Sequence, residues 1–416
     1  MGEQAAENRI RQTGGAQPSA AIAVVLTLLT GFGPMSTDLY LPSLPALVTA
    51  FGSDIATVQL TLSVFLVGFA AAQLIYGPLS DRIGRRPAIL AGITIFTGAS
   101  IACALATSIE MLILCRFLQA LGACSGPVLG RAVVRDLYGP GRSARILAYM
   151  SMAMALAPAI GPMIGGVLQQ AFGWPATFWL LVGFGAVMLV SVLALLGESN
   201  RHRDPLATSP ARLVRNYGAL LRHRRYVGYV LIVACSYSAI FTFISGSSFV
   251  LSGMLGLSPP VYGACFGIVC VGYICGTFGA GRLTLRLGID RMIAAGTLVM
   301  LAGAALMTGL AAAGVFTVWA VVGPFVLVMA GIGLTFPNAI AGAIGPFPTM
   351  AGTASALMGF IQMTLAALVG IAIGQATSPA TGGLPMALAV LLTSLGALAA
   401  FRLLVRPSSG RPAGTA

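Results

Sequence analysis

The sequence predicts an all-α membrane protein, with twelve transmembrane helices in two six-helix halves. Three observations carry this. Of the 416 residues, 57% are hydrophobic and only 8% charged, where a soluble domain has about 25% charged residues. Apolar runs recur along the chain, each near the ~20 residues that cross a hydrocarbon core. Arginine falls in every second loop, the asymmetry that orients a chain in its membrane.

The runs lie at approximately 19–45, 55–76, 88–107, 109–131, 143–170 and 174–196, and then at 227–251, 260–281, 291–312, 317–338, 350–376 and 384–405. They divide the chain into an N-terminal tail (1–18), a first half (19–196), a polar linker (197–225), a second half (226–405) and a C-terminal tail (406–416). No cleavage-type ending follows the first run, so it reads as an uncleaved helix.

Loops on one side carry Arg82, Arg85 and Arg86, then Arg135, Arg142 and Arg145, the linker arginines, and Arg282, Arg286 and Arg291. Loops near 46–54, 106–110, 171–174, 252–259, 313–316 and 377–384 carry none. The segment 339–349 lacks arginine although it falls on the basic side. Both termini, which also bear arginine, are therefore expected in the cytoplasm of a bacterium, with the chain in its inner membrane.

The stretch Gly77-Pro78-Leu79-Ser80-Asp81-Arg82-Ile83-Gly84-Arg85-Arg86-Pro87 is too charged to follow its flanking runs into lipid, and reads as a short loop. Gly281-Arg282-Leu283-Thr284-Leu285-Arg286-Leu287-Gly288 repeats its spacing 204 residues later, with Leu285 in the place of Asp81. Two related halves are the expected architecture. The linker, with seven arginines, is expected to tether them and to lie on anionic lipid headgroups.

Composition also excludes. The net charge of +13 is spread over alternate loops and not gathered on one polar domain, which argues against a nucleic-acid partner. There is no lysine, so no phosphate-binding P-loop and no Schiff-base chemistry. His202 and His223 form no metal-ligating pair, and the seven cysteines lie singly in apolar runs. No metal site is expected, and no cofactor beyond protons as the coupling ion.

Two charges stand inside spans. Asp38, in Met35-Ser36-Thr37-Asp38-Leu39-Tyr40-Leu41-Pro42-Ser43-Leu44-Pro45, lies roughly 28 Å along a first helix that starts near Ser19. Arg116, on the antiparallel fourth span, reaches a similar depth. An isolated ionised residue there costs at least ~2.5–3.5 kcal/mol. The pair is therefore expected to face an aqueous central cavity and to offset each other, with Asp38 exchanging protons and Arg116 setting its affinity. Gln119 shares the Arg116 face one turn on. The second half has no charge inside a span; its aromatics and amides, Tyr237, Phe241, Phe266, Asn338 and Gln362, are read with Tyr40 and Gln119 as the lining of a loose apolar cavity. Gly161 and Gly165, four apart and flanking Pro162, allow close approach of another helix and a bend.

These motifs carry a resemblance. Gly77 to Arg86, with Asp81, Arg82, Gly84 and Arg85 in place, resembles the loop signature of the major facilitator superfamily. Arg116 to Gly122, with Arg131 to Asp136, resembles its helix-4 motif. Ala157 to Gly166, containing Gly161, Pro162, Gly165 and Gly166, resembles its antiporter motif with Ala157 for the first glycine. Thr37 to Pro45 and Phe347 to Leu357 resemble hallmarks of the bicyclomycin-resistance (Bcr/CflA) branch of drug/proton antiporters, with Thr349 in place of a histidine and Gly345-Pro346 in place of an acidic pair. The resemblance implies a proton-coupled antiporter and not an enzyme: an exporter of small amphiphilic drugs or metabolites that works as a monomer by alternating access, the 77–87 stretch latching the cytoplasmic side. A proton-coupled importer of a small metabolite is the alternative. A membrane enzyme would need clustered His, Ser or acidic residues, which the spans lack.

Overall fold

The computed structural model describes residues 20–138, 140–200, 203–205, 207–315, 317–347, 350–377 and 381–405. The two expected tails lie outside the described residues, as do Arg201, His202 and Thr349. The first span is built in pieces: α1 (Ala20–Leu29), α2 (Phe32–Asp38), a 3-10 turn (Leu41–Ser43) and α3 (Leu44–Ala50). α4 (Ile55–Ile83), α5 (Arg85–Ala104), α6 (Ile109–Ala123) running on as α7 (Ser125–Leu137), α8 (Pro140–Phe172) and α9 (Pro175–Leu195) follow. α10 (Pro210–Leu221) lies in the linker. The second set is α11 (Arg224–Ser248, prolonged as a π-helix to Met254), α12 (Pro259–Leu287), α13 (Ile289–Ala312), α14 (Val318–Ile344), α15 (Ala351–Ala376) and α16 (Leu384–Ala400, prolonged as a π-helix to Val405).

Among the described residues, 10 helices are long and apolar enough to cross a bilayer, and α1 with Phe32–Ala50 makes one more span, bent by 42°. The 33-residue α8 takes the remaining expected place. The protein is an all-helical, multi-pass membrane protein.

The element pattern occurs twice. Ile55–Ile83 and Pro259–Leu287 are both 29 residues long and start 204 residues apart. Ala20 to Ala50 and Arg224 to Met254 keep that same offset at both ends. Each 29-residue helix ends at a glycine with positive φ, Gly84 at 110° and Gly288 at 82°. After α13 the offset becomes 209, relating Ile109 to Val318 and Pro175 to Leu384.

The expected loop at 77–87 is corrected by the structure. α4 continues through Pro78 and Asp81 to Ile83, α5 begins at Arg85, and Gly84 alone breaks the helix. The charged residues can stay at the helix ends because they pair across that break: Arg85, at the start of α5, meets Asp81 of α4 at 2.6 Å. Pro78 leaves only the Leu74 carbonyl without its usual helical donor.

The first and second sets of helices meet along two seams, α4 against α15 and α8 against α12. Small residues allow this in a bilayer, where packing rather than a hydrophobic force holds helices together. A Cβ on Gly166 would overlap the Pro259 carbonyl, and one on Gly263 would press on the Pro162 and Met163 backbone. On the other seam Gly370 receives the Ser63 side chain and the Phe241 ring, and Gly374 receives Gln59. One seam is thus packed backbone against backbone, and on the other, side chains fill the space the glycines leave.

Candidate functional site

The site begins with the broken first span. Tyr40 N–H turns to Thr37 O at 3.2 Å, tightening the backbone past α2 and leaving the Ser36 carbonyl without a helical donor. Inside a bilayer such a group must find a partner within the protein. Arg116 supplies it, its Nη1 donating to Ser36 O at 2.9 Å. Pro42 and Pro45, which bring no N–H, keep the segment irregular. Leu41 O next in line accepts from Ser248 Oγ of α11 at 2.7 Å, a bond between the two sets of helices.

Arg116 is fully buried. The same Nη1 donates to Gln119 Oε1 at 2.5 Å, and Nε reaches Thr61 O at 3.5 Å. Gln119 Nε2 donates onward to Ser100 Oγ at 2.7 Å, and Ser100 Oγ donates to Phe96 O at 2.7 Å. Rings enclose the guanidinium: Phe65 at 4.3 Å and Tyr40 at 4.9 Å from its carbon. Cation–π contacts of this kind contribute about 2 kcal/mol each when desolvated. The Tyr40 hydroxyl is held by Thr61 Oγ1 at 3.0 Å. Nη2 of Arg116 alone has no partner.

Asp38, the last residue of α2, is 2% exposed. Its Oδ1 accepts from Thr37 Oγ1 at 3.2 Å, and Oδ2 has no hydrogen-bond partner. It lies at the seam. A Cβ on Gly161 would sit 2.7 Å from Asp38 Cβ, and one on Gly165 would overlap the Leu39 carbonyl. From the second set, Tyr237 of α11 with Tyr262 and Cys270 of α12 lie within electrostatic reach of its carboxyl. Tyr262 OH shares a 3.1 Å hydrogen bond with Ser247 Oγ.

The expected Asp38–Arg116 pair is therefore corrected. No ion pair joins them: Arg116 points into the first set of helices and Asp38 toward the second. Neither faces an aqueous cavity here, since both are buried. The physical reason is the break in the first span. It frees backbone carbonyls that satisfy the guanidinium better than a carboxylate on the far side of the same helix.

The other expected residues separate likewise. Tyr40 and Gln119 are wholly buried parts of the Arg116 nest and line no cavity. Phe241 and Phe266 are buried in packing, Phe241 against Gly370 and Phe266 against Phe243 with ring centroids 5.9 Å apart. Asn338 accepts from Thr284 Oγ1 at 3.0 Å and donates to Leu334 O at 2.8 Å, so it clips α14 to α12. Tyr237 is half-buried beside Asp38, and Gln362 is 8% exposed on α15. Ser36, Thr61, Phe65 and Ser100 were not marked by the sequence; lone hydroxyls and a phenyl in apolar runs look like ordinary helix residues.

At the arginine-bearing end, Arg85 joins Asp81 of α4 to Asp136 of α7 at 3.1 Å and donates to Ser80 Oγ at 2.5 Å. Glu198, from the linker, caps α5 by accepting from Arg85 N at 2.9 Å and Arg86 N at 3.2 Å. A carboxylate there completes the orphan donors of a helix start. Arg86 Nη2 donates to Leu193 O at 3.0 Å and Arg82 Nη1 to Thr208 Oγ1 at 3.1 Å. These contacts bind the first set of helices and the linker to one another.

A multi-pass helical repeat with buried polar groups on a broken helix at the seam has the form of a membrane transporter. The profile of the Major Facilitator Superfamily matches residues 26–371, and the chain belongs to that family. It is 32% identical over 396 residues to the "Uncharacterized MFS-type transporter YdgK" of Bacillus subtilis (strain 168), covering 92% of this chain and 95% of that one. It is 29% identical over 346 residues to "Multidrug resistance protein D" of Escherichia coli (strain K12), covering 83% and 86%. Among solved structures, the xylose transporter XylE from E. coli, in a partially occluded inward open conformation, superimposes with a TM-score of 0.72 at 15% identity, covering 94% of this chain and 99% of that one. The human organic anion transporter MFSD10 gives 0.66 at 19% identity, covering 94% and 100%. These likenesses to solved structures bear on the fold alone. Family and relatives together make the chain a membrane transporter.

Proposed function

We propose that the protein is a proton-coupled antiporter of the Bcr/CflA branch, exporting small amphiphilic drugs or metabolites across a bacterial inner membrane with both termini in the cytoplasm. The observation that carries this is Asp38: a buried carboxyl with one oxygen unpartnered, at the seam that must open if the two sets of helices rock. Burying it as an unpaired anion costs several kcal/mol, so the closed packing accepts the neutral acid. Opening the seam to water removes that cost and lets the proton leave. Proton uptake and release are thus tied to the same movement that exposes the substrate path. Arg116 acts as a positioning residue, holding the broken backbone from Ser36 onward and so the place of Asp38.

The relatives named for multidrug resistance support export of amphiphilic compounds, and the arginine distribution supports the orientation. The test is transport into inverted membrane vesicles with an imposed proton gradient, for wild type and Asp38→Asn. Wild type should accumulate drug and acidification should drive it; the variant should bind drug but lose all response to the gradient. An Asp38→Asn protein that still responds fully to the gradient would overturn the coupling scheme, and accumulation in right-side-out vesicles would reverse the direction.

A further inference from the structure

The linker divides at Ser209. Upstream of it, Glu198, Asn200 and Thr208 hold the ends of α4 and α5. Downstream, α10 belongs with the second set of helices. Leu220 is wholly buried and Tyr217 half-buried against the cluster containing Tyr226 and Leu357. Leu213, Tyr217 and Leu220 share that docked face at helical spacing. Two flanks stay outside. One bears Val214 and Leu221, 70% and 49% exposed; the other bears Arg212 and Arg215, both exposed. Arg212 is paired with Asp204 at 2.7 Å, whereas Arg215 and the exposed Arg222 just beyond the helix form no ion pair among the described residues.

We propose that α10 with Arg222 is a docking surface for anionic phospholipid headgroups of the leaflet on the arginine-bearing face. An apolar flank beside a basic flank suits the boundary of a bilayer, where acyl chain and phosphate lie side by side. Guanidinium groups bind phosphate through two parallel donors. The bilayer borders this place already, because α10 packs on α11 and α15 where those spans end. The charge is complementary: a chain of net charge +13 sets two unpaired arginines here beside exposed Val214 and Leu221. The surface belongs to the second set of helices only, the first stretch of the linker being spent on α4 and α5. This inference does not rest on the direction or coupling of transport.

The test uses the purified full-length protein in nanodiscs of equal phosphatidylcholine and phosphatidylglycerol, with retained lipid read by native mass spectrometry. Wild type should keep phosphatidylglycerol in preference. The Arg215→Gln/Arg222→Gln protein should lose that preference about 25-fold, near fivefold for each arginine, while Arg215→Lys/Arg222→Lys keeps most of it. Arg282→Gln/Arg286→Gln, on the same face at the end of α12, should match wild type. Wild type without preference, a glutamine variant that retains phosphatidylglycerol as wild type does, or equal losses in the two glutamine variants would overturn the proposal, the last by showing a diffuse field instead of a site.

Discussion

Set side by side, the two sets of helices answer the same packing problem with different chemistry. The offsets that relate their elements carry Arg116 onto Phe325, Gln119 onto Val328, Asp38 onto Thr242 and Tyr40 onto Ile244. Where the first set buries a guanidinium, the second stacks Phe325 on Phe243 with centroids 4.0 Å apart. Where the first ends α2 in a carboxyl with a free oxygen, Thr242 Oγ1 satisfies itself on Ser238 O at 2.8 Å. The scaffold therefore does not need charge at these positions. At the matching positions an aromatic pair and a self-satisfied threonine serve without any charge, so the buried charges of the first set are there for what they do.

The comparison breaks most sharply at Arg116. Arg116→Phe, which copies the second set, should cost about 4 kcal/mol because Ser36 O and Gln119 Oε1 are left buried without donors, at ~1–3 kcal/mol each plus misfit of the ring. Phe325→Leu should cost only about 1 kcal/mol. Unfolding in mixed detergent micelles measures both, and equal losses would mean that the guanidinium is no more than filler.

Next comes the close packing of α8 on the broken first span. Gly165→Val drives a side chain into the Leu39 backbone and should cost about 3 kcal/mol, whereas Gly281→Val, which meets nothing within 4 Å, should be nearly neutral. The same unfolding assay distinguishes them.

The matched helix breaks give a finer contrast. Gly84 and Gly288 both hold positive φ, but a Cβ on Gly84 would also overlap the Glu198 carboxylate, while one on Gly288 meets nothing within 4 Å. Gly84→Ala should lose about 2 kcal/mol and Gly288→Ala about 1 kcal/mol. If the two losses are equal, Glu198 contributes nothing to capping α5.

The smallest effect concerns the starts of the paired 29-residue helices. Asp54 caps α4, accepting from Thr57 N at 2.9 Å, whereas Ser258 makes no side-chain cap on α12. Asp54→Ala should cost about 1 kcal/mol and Ser258→Ala close to none. The Thr57 backbone N–H bond, with the Thr57 hydroxyl, holds the Asp54 carboxyl below its ordinary value. A lowered folded value means the cap contributes fully above the unfolded value of about 3.9 and fades as pH falls through the folded one. Wild type and Asp54→Ala should therefore converge in stability only in acid below that point; convergence at neutral pH would contradict the cap.

Much of the outline was legible because hydropathy and loop charge are summed over many residues and survive any local surprise. The Gly77 and Gly281 echo announced the repeat, and Asp38 and Arg116 stood out as the charges within spans. Their relation to each other was not legible. Depth along a helix can be counted, but direction around it cannot once Pro42, Pro45 and the turn at Tyr40 break the period. The charged stretch at 77–87 read as a loop because pairing between Asp81 and Arg85 across a one-residue break is a matter of geometry, not of composition.

By itself, then, the sequence determined that this chain crosses a membrane many times, in two related sets, with charge admitted to only one of them. Those properties follow from the cost of placing polar groups in hydrocarbon, which each residue bears wherever its neighbours lie. Only the tertiary structure decided that Arg116 serves the backbone of the first span and that Asp38 meets the opposing helices, because a freed carbonyl at Ser36 exists only once that span has bent.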